Sequence, residues 1–287
     1  MNDGHQSFKK ILFGFAFSPK LKINLLETTR IAHLFNATLI LIHVGERTKE
    51  KEDEIHSLLK EIEPSGLSIE IQWKDGKPIK TIRQACVDFK IDLLILGALQ
   101  HENMYRFYVG SIARKLTRQV SCSVLLLIRP SEIRVACNHL VVNGLNAPNT
   151  SKTIASAFYV ANTLGAKQIT IVEEILNKEI HVAVEDDRSL KKASIIKERL
   201  KHREESRVRK IVSALPKIFT QSIKIKNQSI FGKRGYSIGH YAEVVRADLL
   251  VMNAPSKSSV FNRIFPHDIE YILSDLPTDL LIIRSQP

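Results

Sequence analysis

The stretch Leu93-Leu94-Ile95-Leu96-Gly97-Ala98-Leu99-Gln100 occurs a second time as Leu249-Leu250-Val251-Met252-Asn253-Ala254-Pro255-Ser256. In each case an uncharged apolar run leads into a small or polar residue and then a loop. Such a run reads as a strand buried on both faces of a sheet. Ile40-Leu41-Ile42-His43-Val44 is matched in the same way by Ile169-Thr170-Ile171-Val172-Glu173. A repeat with half the chain's length as its period implies two copies of one domain rather than a solenoid of short units.

Working outward, the first copy reads as strands at 11–17, 38–44, 68–73, 92–96 and 124–128. Helices fall between them. One begins at Ser18-Pro19, with Ser18 as cap; a charged one runs through 54–62, and others cover 78–89 and 111–117. The second copy repeats the order, with strands at 140–142, 168–172, 222–225, 248–252 and 280–283 and helices at 151–164, 237–245 and 268–273. Strands alternating with helices predict right-handed crossovers and a parallel sheet covered on both faces. The expected fold is therefore α/β, with two tandem doubly wound, mostly parallel five-stranded sheets. The expected domains are 1–131 and 137–287. Val124-Leu125-Leu126-Leu127-Ile128 and Leu280-Leu281-Ile282-Ile283 are too apolar to be exposed sheet edges, so they are expected to pair antiparallel in an intramolecular pseudo-dimer.

The copies differ by an insertion at about 177–216, rich in Lys and Arg, with Ile195, Leu200, Val208, Ile211, Val212 and Leu215 threaded through it at helical spacing. It reads as an amphipathic helix with a solvated basic face; contact with an acidic protein partner is the sharper alternative.

The 287 residues suit two domains, and 44% hydrophobic with 25% charged residues describes a globular chain. No apolar run is long enough to cross a bilayer, so no membrane association is expected. The polar first ten residues lack the apolar stretch of a secretory signal. Three cysteines (Cys86, Cys122 and Cys137) show no metal-ligand spacing and fit a reducing, cytoplasmic setting. The net charge of +12 is compatible with nucleic acid, but no aromatic-plus-basic motif accompanies it.

Chemistry concentrates in the loop after Leu96. Gly97 is followed at a distance by Gly110-Ser111-Ile112-Ala113, which opens a helix. Glycine lets backbone approach a phosphate closely, and the first amides of a helix receive an anion. This pattern, with the ending Gly110-Ser111-Ile112-Ala113-Arg114-Lys115-Leu116 through Ser121-Cys122-Ser123-Val124-Leu125-Leu126, resembles the universal stress protein family. That resemblance spans nearly the whole chain, once per half. It implies an adenine nucleotide, ATP or AMP, with magnesium accompanying ATP, held in the first copy by Gly97, Gln100, Gly110, Ser111, Ile112, Ala16 and Val44. Gln100 stands where the family's nucleotide binders have a second glycine, and Ala16 where they have a carboxylate. His101 and Glu102 follow in the loop, and Arg106 is positioned to offset the Glu102 charge. The second copy has departed further: Asn253, Ser256 and Pro266-His267 replace the glycines and the Gly-Ser pair, and Leu145 takes the place of the acid.

Nothing in the sequence forms a catalytic or metal constellation. His43 and His267 read as structural, and Cys86 and Cys122 as core. The function expected is that of a non-catalytic stress-response protein that senses or binds a small ligand. An interaction module for protein or RNA is the alternative, and a slow ATPase carries less weight. Association into a further homo-oligomer is open.

Overall fold

The computed structural model describes residues 7–62, 66–100, 107–128, 130–183, 185–254 and 267–284. They form an α/β fold that divides into two compact units. The first unit comprises Gln6–Ala136 together with Leu273–Pro287, and the second contains Cys137–Ile272. The last segment of the chain thus packs with the first unit, unlike the sequential division at 137–287 expected from the repeat.

In the first unit the elements run β1 (Lys10–Phe15), α1 (Leu21–Leu34), β2 (Thr38–Val44), α2 (Lys49–Ile62), β3 (Ile69–Lys74), α3 (Pro78–Asp88) and β4 (Leu93–Gly97). A short hairpin, β5 (Leu99–Gln100) with β6 (Phe107–Tyr108), precedes α4 (Ser111–Gln119) and β7 (Ser123–Leu127). Strands β3, β2, β1, β4 and β7 lie side by side in that order, all parallel. Their apolar runs explain the arrangement. Ile11, Leu12, Leu39, Leu41, Leu93, Leu94 and Ile95 are all buried, as strands covered by helices on both faces require.

The remaining strand of this unit comes from the chain's end. Leu280, Leu281 and Ile282 of β12 (Asp279–Ile283) pair antiparallel with Leu126, Leu125 and Val124. The two apolar strands that were expected to meet do so. Arg284, just beyond β12, is buried and donates to the carbonyl oxygen of Thr117 at 2.7 Å and that of Arg118 at 3.4 Å. It satisfies carbonyls in the last turn of α4, which that helix leaves open.

The second unit contains β8 (His139–Asn143), α5 (Thr150–Leu164), β9 (Gln168–Leu176), α6 (Asp187–Ser213), α7 (Lys217–Thr220), β10 (Lys224–Gly232), α8 (Tyr236–Val244) and β11 (Leu249–Asn253). Helix α9 (His267–Ser274) follows. Its strands lie in the order β10, β9, β8, β11, again parallel.

Three local expectations change. Helix α1 begins at Leu21 with no side-chain cap, so Ser18 serves only through its carbonyl, which accepts from the Leu21 amide at 2.9 Å. Strands β9 and β10 continue beyond 172 and 225 and pair along nine residues each. This extension carries Glu173 and Glu174 into the sheet. The insertion folds as α6, but Ala193, Glu204 and Val208 are its buried residues and Ile195 is 52% exposed. Val208 of the expected stripe faces inward and Leu200, Ile211, Val212 and Leu215 are half-buried, so only Ile195 departs from it, and the paired carboxylate of Glu204 is buried on the same helix.

Candidate functional site

Parallel strands bring their C-terminal ends to one side of a sheet, and ligands of such folds bind there. In the first unit this places Ala16, Val44 and Gly97 at the ends of neighbouring strands β1, β2 and β4. Ala16 is exposed and Val44 half-buried. Gly97 lies against α1. A Cβ there would come within 3.2 Å of both the Nδ2 and the Oδ1 of Asn24. A side chain at 97 would therefore require the Asn24 amide to give way by a few tenths of an ångström.

The backbone of Gln100 lies in β5, paired with Phe107. His101, Glu102 and Arg106 lie outside the described residues. The far strand of this hairpin is tied to the chain's last segment. Leu276 donates its amide to the Phe107 carbonyl at 3.0 Å, and Val109 donates to that of Leu273 at 3.1 Å. Gly110 then caps α4 with extended geometry, φ −58° and ψ 161°. Neither a capping side chain nor an acidic residue occupies the first turn of α4, and Ser111 and Ile112 are exposed. The helix presents its first amides and the positive end of its dipole to that loop, an arrangement suited to an anion.

Aromatic rings fill the neighbouring strand ends. Phe17 and Trp73 stack with centroids 6.2 Å apart and planes 16° from parallel. His43 sits edge-on to both, at 5.1 Å and 5.3 Å, and 5.4 Å from Phe15. Its Nδ1 lies 3.2 Å from the Phe15 carbonyl oxygen and the residue is buried, so His43 is structural. Phe17 and Trp73 remain partly exposed. They form a flat apolar surface of the kind on which a planar ring packs.

The equivalent end of the second unit is charged. Here Gly144 passes so close to β9 that a Cβ would lie 2.8 Å from Ile171 Cγ2. Its carbonyl accepts from Arg207 of α6. Arg207 also binds Glu204 at 2.8 Å, and Arg203 binds Glu204 at 2.8 Å and Glu179 at 3.2 Å. Burial disfavours the Glu204 charge, yet the two guanidiniums hold that carboxyl below its ordinary range. Glu174 accepts the amides of Gly235 and Ile238 at 3.1 and 2.9 Å, capping the start of α8. Glu173 is 1% exposed and accepts from the Ser229 hydroxyl at 3.0 Å. Burial pushes its carboxyl up to about 7, against that hydrogen bond and the Arg207 charge; Glu205 and Glu204 push it further up. Together with Leu145, Asn146, Ile175 and Arg234, these residues enclose a cleft of about 150 Å³.

Sequence reasoning missed this cleft. The available signal was Val172-Glu173-Glu174-Ile175, where two carboxylates interrupt an apolar run. Asn253, in the place of Gly97, bonds to Thr150 at 3.2 Å and also to Thr153, while Ser256, Lys257, Ser258, Ser259, Arg263 and Pro266 lie outside the described residues. Cys86 and Cys122 are buried thiols, and the hydrogen bond between them, followed by burial, raises the Cys86 pKa far above its ordinary value. Among the described residues no cluster of His, Cys, Asp and Glu is arranged to hold a metal ion. Nor is any described helix long and apolar enough to cross a membrane.

Residues 45–127 match the model of the universal stress protein family. A universal stress protein of Synechocystis sp. is 26% identical over 89 residues, covering 31% of this chain; the chain spans 58% of that relative's length. Among solved structures, a putative universal stress protein from Pseudomonas aeruginosa UCBPP-PA14 is similar with a TM-score of 0.72 and 15% identity, covering 98% of this chain and 95% of that one. A universal stress protein from Archaeoglobus fulgidus DSM 4304 is similar with a TM-score of 0.69 and 13% identity, over 100% of both chains. At these identities the likeness is one of fold. The match at 45–127 takes in β4, Gly97, Gly110, Ser111 and α4, so the similarity to the universal stress protein family falls on the first unit.

Proposed function

We propose that this is a non-catalytic, cytoplasmic stress-response protein whose first unit binds an adenine nucleotide. The carrying observation is the start of α4, where Gly110 and Ser111 open a helix with no side-chain cap and no acidic residue in its first turn. Phosphate oxygens accept hydrogen bonds from those amides and from the Ser111 hydroxyl, with the helix dipole favouring their charge. The adenine packs on Phe17 and Trp73 at the ends of β1 and β3, beside Val44. Ala16 offers no carboxylate to ribose hydroxyls, so phosphate and base carry the binding, and magnesium accompanies ATP through its phosphates. With no carboxylate at Ala16, the chain lacks one familiar means of activating water, in keeping with a binding role rather than hydrolysis.

Calorimetric titration with ATP and AMP, with and without magnesium, tests the reading. Saturable heat below about 1 mM supports it, and no heat at several millimolar removes it. A Gly110→Ala, Ser111→Ala double variant separates binding from turnover. Any residual hydrolysis that persists unchanged in it comes from a contaminant or another site.

A further inference from the structure

The cleft of the second unit contains two buried polar atoms that the protein leaves without a hydrogen bond. They are Glu173 Oε1 and Arg234 Nε, and both residues line the same cleft of about 150 Å³. An unsatisfied buried polar atom costs about 1–3 kcal/mol, so two in one cleft call for an occupant. The other charged groups there already have partners: Glu204 is held by Arg203 and Arg207, and Glu174 by the amides at the start of α8. What remains open is one carboxylate oxygen, one guanidinium N–H and the exposed side chain of Asn146, between the apolar walls of Leu145 and Ile175.

We propose that this cleft binds a small carboxylic acid that also carries an ammonium or hydroxyl group. The carboxylate accepts from Arg234 Nε, and the ammonium or hydroxyl donates to Glu173 Oε1. Size sets the class. A cavity of this volume takes a molecule about as large as benzene, roughly six to eight non-hydrogen atoms, which is far smaller than a nucleotide. Helix α6 forms one wall through Arg203, Glu204 and Arg207, so the inserted segment completes the site. The site is independent of nucleotide binding in the first unit, because none of its residues belongs to that unit.

Three small acids on the same three-carbon skeleton test the idea on the full chain: L-alanine carries the ammonium, L-lactate the hydroxyl, and propionate neither. Calorimetric or ligand-observed NMR titration is expected to show saturable binding of L-alanine or L-lactate at about millimolar concentration or below, with propionate at least about tenfold weaker. Glu173→Gln and Arg234→Lys are each expected to weaken binding about tenfold or more, with folding verified by circular dichroism. Leu145→Trp narrows the cleft without altering either polar atom and is expected to block binding as well. The proposal is overturned if neither acid binds at about 10 mM, as when ordered water alone satisfies both atoms, or if binding is unchanged in the folded variants.

Discussion

At the ends of β1, β2 and β3 the first unit gathers Phe15, Phe17, His43 and Trp73, whereas at the ends of β8, β9 and β10 the second gathers Glu173, Ser229, Glu204 and Arg207. The repeat aligns Val44 with Glu173, so one position of one fold carries a half-buried aliphatic in the first unit and a buried carboxylate in the second. A carboxylate there is costly without partners. Arg207, which lowers the Glu173 pKa and binds Glu204, comes from the inserted helix. The insertion and the charged strand end are therefore one device: the first unit, lacking the helix, keeps its strand ends apolar.

A second exchange has the same logic. Asn24 of α1 fills the space beside Gly97, whereas in the second unit the asparagine is on the strand, as Asn253, and bonds to Thr153 of α5. Strand end and helix vary together because they share one volume.

Removing Arg207 should break the comparison most severely. Arg207→Ala leaves buried Glu204 with Arg203 alone and is expected to cost about 3–5 kcal/mol. Arg47→Ala, which removes the exposed Arg47–Glu52 pair of the first unit, should cost under about 1 kcal/mol. Equal urea midpoints for the two variants would show that α6 merely lies on the surface.

The next effect is pH dependence. The native Glu173 carboxyl titrates near 7, above its ordinary value of 4.5, so the folded protein holds a proton that the unfolded chain has released. This favours folding below about pH 4.5, and the advantage is lost as pH rises through about 7, to a total of about 3 kcal/mol. The charges bearing on it are Arg207, Glu204 and Glu205. Glu173→Gln should flatten this slope, stabilising the protein relative to wild type at about pH 8; parallel denaturation curves at about pH 5 and pH 8 would argue against a buried proton.

Trp73→Ala addresses the aromatic side. Loss of a stacking surface is expected to weaken nucleotide binding about 10- to 100-fold, from about 1–3 kcal/mol, and to leave binding of small acids unaltered. The smallest effect sharpens the role of α4. Ser111→Asp should stabilise the helix by about 0.3–1 kcal/mol through its dipole while weakening nucleotide several-fold by charge repulsion. Melting temperature and affinity moving in the same direction would contradict an anion site there.

Much of the fold was legible before any coordinates. Apolar runs such as 93–96 and 249–252 identified buried strands, and their alternation with helices implied parallel sheets. The pairing of 124–126 with 280–282 could be anticipated because neither strand is tolerable as an exposed edge. The anion-suited loop was readable from Gly97, Gly110 and Ser111. The aromatic surface was not, since Phe17 follows β1 while His43 is on β2 and Trp73 on β3, and only the parallel register of those strands brings the rings together. The buried role of Glu204 was hidden as well, because in a segment rich in Lys and Arg a glutamate reads as solvated.

The sequence by itself determined the strand-and-helix order, the duplication and the opening of α4 at Gly110, because these follow from local periodicity and from what glycine and serine do at a helix start. Tertiary structure alone decided that Phe17, His43 and Trp73 form one aromatic surface, and that Glu173, Arg234 and the inserted helix share a cleft. Those outcomes depend on which distant surfaces exclude water together, and a linear pattern of residue types does not carry that information.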